Sequence, residues 1–204
     1  MINKQLATGS KQLATGNKRV ATGNKRVAIG VTGASGQIYA QYIIKELLSN
    51  LELEIDLIFS ETARLVYPAE TGESLPHNLI PNDSYYNRNA SGSNPADVVI
   101  IIPCTMGTIG RIAAGTSDDL ICRIADVQLK ERKTLIIVPR ETPYSLIHLR
   151  NMTTLTEAGA IIAPASPSFY TNPKNLDEVV KNFTNRILSL AGLSELPMEN
   201  KWMP

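Results

Sequence analysis

Short apolar runs alternate along this chain with longer amphipathic stretches, and their order predicts the architecture. Val27-Ala28-Ile29-Gly30-Val31 is β-rich, bounded by glycine and apolar on both faces, the pattern of a buried parallel strand. Past Gly33-Ala34-Ser35-Gly36 the period changes. Ile38, Tyr39, Tyr42, Ile43, Ile44, Leu47 and Leu48 recur at helical spacing, so the glycines sit at a strand-to-helix turn. Leu53 to Ser60 reads as a second strand, and a helix starting at Glu61 is expected to end near Pro68, whose ring interrupts helices. Asp97 to Pro103 is almost wholly apolar, as a central strand covered on both faces must be.

Helices are expected next near Met106 to Ala114 and from Asp119 to Arg132, then a strand over Thr134 to Val138, a helix over Ser145 to Ala158 and a strand over Ala160 to Pro164. A last helix spans roughly Leu176 to Leu190, with Asp177 and Glu178 in its first turn complementing the dipole. This alternation predicts one α/β domain, a doubly wound parallel sheet of flavodoxin-like or Rossmann-like type. Ligands of such sheets bind at the carboxyl ends of the strands.

Two stretches depart from the pattern. Gly72 to Pro95 is polar and turn-rich, a loop of the kind that carries function. From Lys4 the chain reads KQLATGS, KQLATGN, KRVATGN and KRVAIG, a unit copied until Ile29 breaks it. The expected division is a basic repeat arm over 1–24, a ligand-binding domain over 25–193 and a tail over 194–204.

Composition sharpens this. A chain of 204 residues, 43% of them hydrophobic, suits one domain with a real core. There is no run of about 18 uninterrupted apolar residues and no apolar signal region at the start, so neither a membrane span nor secretion is expected. Cys104 and Cys122 lie in apolar surroundings without metal-ligand spacing, which predicts buried, reduced thiols, no metal and a cytoplasmic setting. The net charge of +1 hides an asymmetry, because Lys4, Lys11, Lys18, Arg19, Lys25 and Arg26 face no acid in the first 30 residues and the remainder is net acidic. The arm has no aromatic to stack on bases and few charges, so nucleic acid is not the expected partner.

Three strand ends carry polar punctuation: Thr32-Gly33-Ala34-Ser35-Gly36, Ser60-Glu61-Thr62 and Pro103-Cys104-Thr105-Met106-Gly107-Thr108. At the first, backbone N–H groups and the positive end of a helix dipole converge where glycine admits an anion. A tight βα connection also needs small residues, and Ser60 and Thr105 also read as N-caps. Jointly, these ends point to a nucleotide-type ligand with one phosphate and a flat heterocycle. Lys130-Glu131-Arg132-Lys133 reads as a solvated helix end, whereas Arg140-Glu141 falls just past a strand, where active sites form in this architecture.

GVTGASG, the ASGS at Ala90 to Ser93, PCTMGT, the stretch Ile124 to Arg132, PRETP, HLRNM at His148 to Met152 and PSFY at Pro167 to Tyr170 together resemble the flavin prenyltransferase family, in order and from about Lys25 to about Leu193. The resemblance implies a homo-oligomeric FMN protein, typically a dodecamer with sites between subunits. Such a protein joins a dimethylallyl group from dimethylallyl monophosphate to N5 and C6 of reduced FMN, and a partner decarboxylase uses the product. Carried over by motif, Gly33, Ala34, Ser35, Ser60, Thr105, Met106, Gly107, Thr108 and Arg123 contact FMN. Lys130, Arg140, Tyr170 and Arg186 hold the prenyl phosphate, with Lys130 and Arg140 counted as catalytic beside Glu141, which handles protons. Two positions depart from many relatives: Asn94 stands where a large aromatic follows ASGS, and Gly107 where a lysine occurs. The alternatives are a non-catalytic FMN-binding protein and a decarboxylase, FMN-dependent or acting on aromatic acids, on the same scaffold.

Overall fold

The computed structural model describes residues 24–202. The repeat arm therefore lies outside the described residues, while the last, divergent copy of the unit is the first strand. Six strands form one parallel sheet: β1 (Lys25–Val31), β2 (Leu53–Phe59), β3 (Ile80–Pro81), β4 (Val98–Cys104), β5 (Thr134–Pro139) and β6 (Ile161–Ile162). Their order is β3-β2-β1-β4-β5-β6. Without the two-residue edge piece β3, the remaining five have the 2-1-3-4-5 order of flavodoxin-like sheets. Between them run α1 (Gln37–Leu48), α2 (Glu61–Thr71), α3 (Met106–Ala113), α4 (Leu120–Lys130), α5 (Leu146–Glu157) and α6 (Leu176–Leu190).

The two-residue side-chain period of a strand divides the core in two. Val98, Ile100 and Ile102 of β4 face α1 and α6, meeting Ile43, Ile44, Phe183 and Ile187. Val99 and Ile101 face the other way, onto Ile109 of α3, Ile121 and Ile124 of α4 and Leu155 of α5. Every residue of β4 is buried, as its unbroken apolar run requires. The chain steps one way from β1 to β2 and the other way from β4 onward, so the topological switch point lies between the carboxyl ends of β1 and β4. The expected ligand crevice is there.

Two sequence expectations are corrected. Pro68 does not end its helix: α2 continues to Thr71, and the αL residue Gly72 closes it by donating its N–H to the Pro68 carbonyl at 3.0 Å. The T-shaped packing of Tyr67 on Phe59, 5.4 Å between ring centroids, seats the helix across the proline. The polar loop contributes β3, where Ile80 and Pro81 pair with Ile58 and Phe59; an edge position tolerates the proline. Past residue 193, Asn200 is buried and donates from Nδ2 to Asn182 Oδ1 at 2.6 Å.

Ile100 contacts the core from the middle of the central strand and is fully buried. Ile100→Ala is expected to lower the unfolding free energy by about 2–5 kcal/mol in a denaturant titration, with the denaturant slope unchanged.

Candidate active site

The switch point is pinned by one buried hydroxyl. Thr32, just past β1, donates its N–H at 3.2 Å and its Oγ1–H at 2.9 Å to the Pro103 carbonyl, and Oγ1 accepts the Thr105 N–H at 2.8 Å. The end of β1 is thereby tied to the start of α3. Gly33 follows, where a Cβ would lie 2.3 Å from Thr62 Cγ2, so the first turn of α2 presses on backbone that only glycine provides. Gly36 holds φ at 96°, the left-handed region, and opens α1.

Most carbonyls of this turn and of the strand end before it are accounted for. Val31 O accepts from the Ser60 N–H at 3.0 Å. Gln37 Nε2 donates to Thr32 O at 2.8 Å and Ala34 O at 2.6 Å, and Arg140 Nε donates to Ser35 O at 2.9 Å. Glu70 Oε2 accepts the Gly36 and Gln37 N–H groups at 2.8 and 3.0 Å. The N-terminus of α1 thus carries an internal carboxylate where the sequence reading expected an external anion. Among the described residues, the amides of Gly33, Ala34 and Ser35 make no hydrogen bond; they are the groups of the turn left for a ligand.

Burial alone would raise the Glu70 carboxyl, but the Ser35 hydroxyl, the two helix amides and the positive charge of Arg140 outweigh it and hold the group below its ordinary range. Glu70 and Arg140 therefore grip the turn from opposite sides. Glu141 follows Arg140, and its Oε1 accepts the Thr142 N–H at 2.9 Å.

Ser60 and Thr105 are N-caps: Ser60 Oγ accepts from the Ala63 N–H at 3.1 Å and Thr105 Oγ1 from the Thr108 N–H at 3.2 Å. The Met106 and Thr108 side chains are buried, while Gly107 is exposed. Gly33, Ala34, Ser35, Ser60, Thr105, Gly107, Arg140 and Glu141 thus come together at the carboxyl edge of the sheet.

Tyr170 and Arg186 share a pocket of about 280 Å³ with Ser166, Ser168, Asn182 and Asn200. The Tyr170 hydroxyl donates to the Asn200 carbonyl at 2.9 Å, and Trp202 packs edge-on against the ring at 5.6 Å. This pocket adjoins the turn: its wall residue Phe183 packs on Tyr39 at 4.9 Å, and a Cβ on Gly36 would lie 3.2 Å from the Tyr39 ring and 3.6 Å from Arg140 Cγ.

Lys130 and Arg123 stand apart. Lys130 ends α4 before β5 begins, whereas Arg140 follows the end of β5. Six residues of β5 at ~3.3 Å each put roughly 20 Å between the two edges. Lys130 pairs with Glu131 beside Gly92, and Arg123 bonds Asp126 Oδ2 at 2.6 Å and the Ala90 carbonyl at 3.1 Å. Both cations therefore border the Ala90–Ser93 loop.

His148 accepts the Ser145 N–H at Nδ1 in a capping box. Both thiols are buried. Burial and the Asp119 charge push Cys122 up to about 12, and burial pushes Cys104 higher still. Asp118, Asp119 and Cys122 cluster, with Arg111 Nη1 bonded to both carboxylates at 2.7 and 2.6 Å.

Sequence reasoning missed Gln37, Glu70, Asn200 and Trp202. Glu70 lies in the helical turn that Pro68 was expected to abolish, which hid it. Gln37 looked like an ordinary first residue of a helix. A glutamine directly after a glycine turn, with two carbonyls in side-chain reach, was the available signal.

Because the folded-state Glu70 carboxyl lies below its ordinary 4.5, it contributes stability at neutral pH and loses it as pH falls through the lowered value. Glu70→Gln is expected to be less stable than the parent at pH 7. The gap should close in acid-side denaturation curves below pH 4.5, and exposure keeps it modest.

A doubly wound sheet with hydroxyls and unbonded amides at its switch point, and Arg-Glu beside them, has the form of a nucleotide-binding α/β protein. Residues 15–188 match the family model described as Flavoprotein. A flavin prenyltransferase UbiX from Thermoplasma acidophilum is 44% identical over 171 residues, which cover 81% of this chain and 93% of that one. Among solved structures, a dodecameric FMN-dependent UbiX-like decarboxylase from Escherichia coli O157:H7 superposes with a TM-score of 0.83 at 34% identity, covering 88% of this chain and all of that one. AnUbiX (PadA1), in complex with FMN and dimethylallyl pyrophosphate, superposes at 0.82 with 35% identity and the same coverage. The chain belongs to the Flavoprotein family and, within it, to the flavin prenyltransferases.

Proposed function

We propose that this protein transfers a dimethylallyl group from its phosphate ester to N5 and C6 of reduced FMN. The observation that carries this reading is the convergence of three unbonded turn amides with Arg140 and Glu141 at the switch point of a flavin prenyltransferase chain. Reduced FMN, when bound, supplies the two electron-rich ring atoms that accept the allyl group. The residues at the carboxyl edge fit such a group, offering donors to its oxygens and an open surface at Gly107.

Breaking the donor's C–O bond leaves a phosphate whose charge grows, and fixed cations meet it best in a site closed to water. Arg140 is held in place by Ser35 and Glu70, and Arg186 with Tyr170 lines the adjoining pocket. On this reading Glu141 is the carboxylate that handles protons when the second bond closes, a step in which the allyl C=C takes a proton and C6 loses one. Lys130 reaches such a site only from another copy, because it lies at the opposite edge of its own sheet. An assembly of copies, dodecameric by analogy with the E. coli relative, supports the function on this account. Tyr144, Leu146, Ile147 and Leu149, exposed apolar residues at and before the start of α5, supply surface for it. We further propose that the chain divides into an arm over 1–24 and a flavin-binding body over 25–193. The product would pass to a partner decarboxylase in the cytoplasm, where buried free thiols stay reduced.

Mixing the protein with reduced FMN and dimethylallyl monophosphate should add one dimethylallyl unit to the flavin mass. An unchanged mass with flavin still bound would leave a flavin-binding protein, and release of carbon dioxide from an aromatic acid without any partner would favour a decarboxylase. Glu141→Gln and Lys130→Ala are each expected to retain FMN and to slow transfer by about 10²-fold or more. Loss of flavin in both would show that the roles are misassigned.

A further inference from the structure

Gln37 is fully buried and spends both of its N–H donors on carbonyls of the turn, Thr32 O at 2.8 Å and Ala34 O at 2.6 Å. Its Oε1, equally buried, has no partner among the described residues. A leucine or methionine would remove that orphaned acceptor, so economy of burial does not explain the residue. The geometry of the peptide group does. In a planar trans peptide, the C=O of one residue and the N–H of the next point in opposite directions. Drawing the Thr32 carbonyl inward turns the Gly33 N–H outward, and drawing the Ala34 carbonyl inward turns the Ser35 N–H outward. Arg140 draws in the Ser35 carbonyl, and the following N–H, that of Gly36, accordingly goes to Glu70.

We propose that Gln37 is a positioning residue that presents the Gly33 and Ser35 amides as a pair of donors to an oxygen acceptor of the bound ligands. Two groups have that chemistry, an oxygen of FMN and the phosphate of the allyl donor. The inference rests on the reading of this turn as the flavin site and needs no turnover. Gln37 touches neither ligand and acts through the backbone alone.

Gln37→Leu keeps the size and removes both donors. With the full-length assembly, thermal unfolding and native mass serve as the check of folding, and two affinities are measured by calorimetry. One is oxidised FMN into apo protein, and the other is dimethylallyl monophosphate into protein loaded with oxidised FMN, where no reaction runs. A drop of about tenfold in either affinity is expected, one oriented hydrogen bond being worth about that factor. The affected titration identifies which oxygen the amides hold. If both affinities equal those of the parent, the proposal is wrong.

Gln37→Glu supplies a second test should the leucine variant fail to fold. A carboxylate donates nothing and repels both carbonyls, whereas the protonated acid has one O–H to give. Its affinity relative to the parent, compared at matched pH, should recover as pH falls. A ratio independent of pH would overturn the assignment. A residue that merely filled space would show neither the ligand-selective loss nor the recovery.

Discussion

The switch point exists as a site because of one hydrogen-bonded group, the hydroxyl of Thr32. It is buried, it gives its proton to the Pro103 carbonyl and it takes the Thr105 amide proton, so the ends of two adjacent strands become a single rigid rim. A buried polar group is costly unless satisfied, and this one is satisfied only in the arrangement that sets β1 and β4 level. The turn from Gly33 to Gly36, the cap of α3 and the approach of Arg140 are all referred to that rim.

Much of the architecture could be read from residue patterns. The almost wholly apolar run Asp97 to Pro103 announced a doubly covered strand, and β4 is buried throughout. The helical period after Gly36 placed α1, and Asn175, Ser145 and Asp119 cap helices whose starts the sequence located within a residue or so. What failed did so for definable reasons. A proline's lost donor and steric clash argue for a helix end, but the packing of Tyr67 on Phe59 is a tertiary term that a local reading does not contain. The two-residue β3 owes its existence to the open edge of β2, a partner invisible in a polar loop.

The site was legible unevenly. Residues with side chains at strand ends, such as Ser60, Thr105, Arg140 and Glu141, stood out because topology gives that edge its meaning. Gln37 and Glu70 did not, since their work is on backbone groups several residues away and leaves no spacing rule to detect. Lys130 and Arg140 illustrate a different limit: they belong to opposite edges of one sheet, and the family resemblance, not residue patterning, is what grouped them.

The contact between Gly33 and Thr62 has a consequence for how such a chain can drift. A methyl-sized addition at position 33 would collide with the Thr62 side chain and its Cβ, at 2.3 and 2.6 Å, before it reached any ligand. Relief would have to come from position 62, by trimming to a smaller residue, or from sliding the whole of α2 outward and taking Glu70 with it. Position 33 is therefore free to change only after position 62 has been trimmed or α2 has moved, whereas position 62 can shrink by itself.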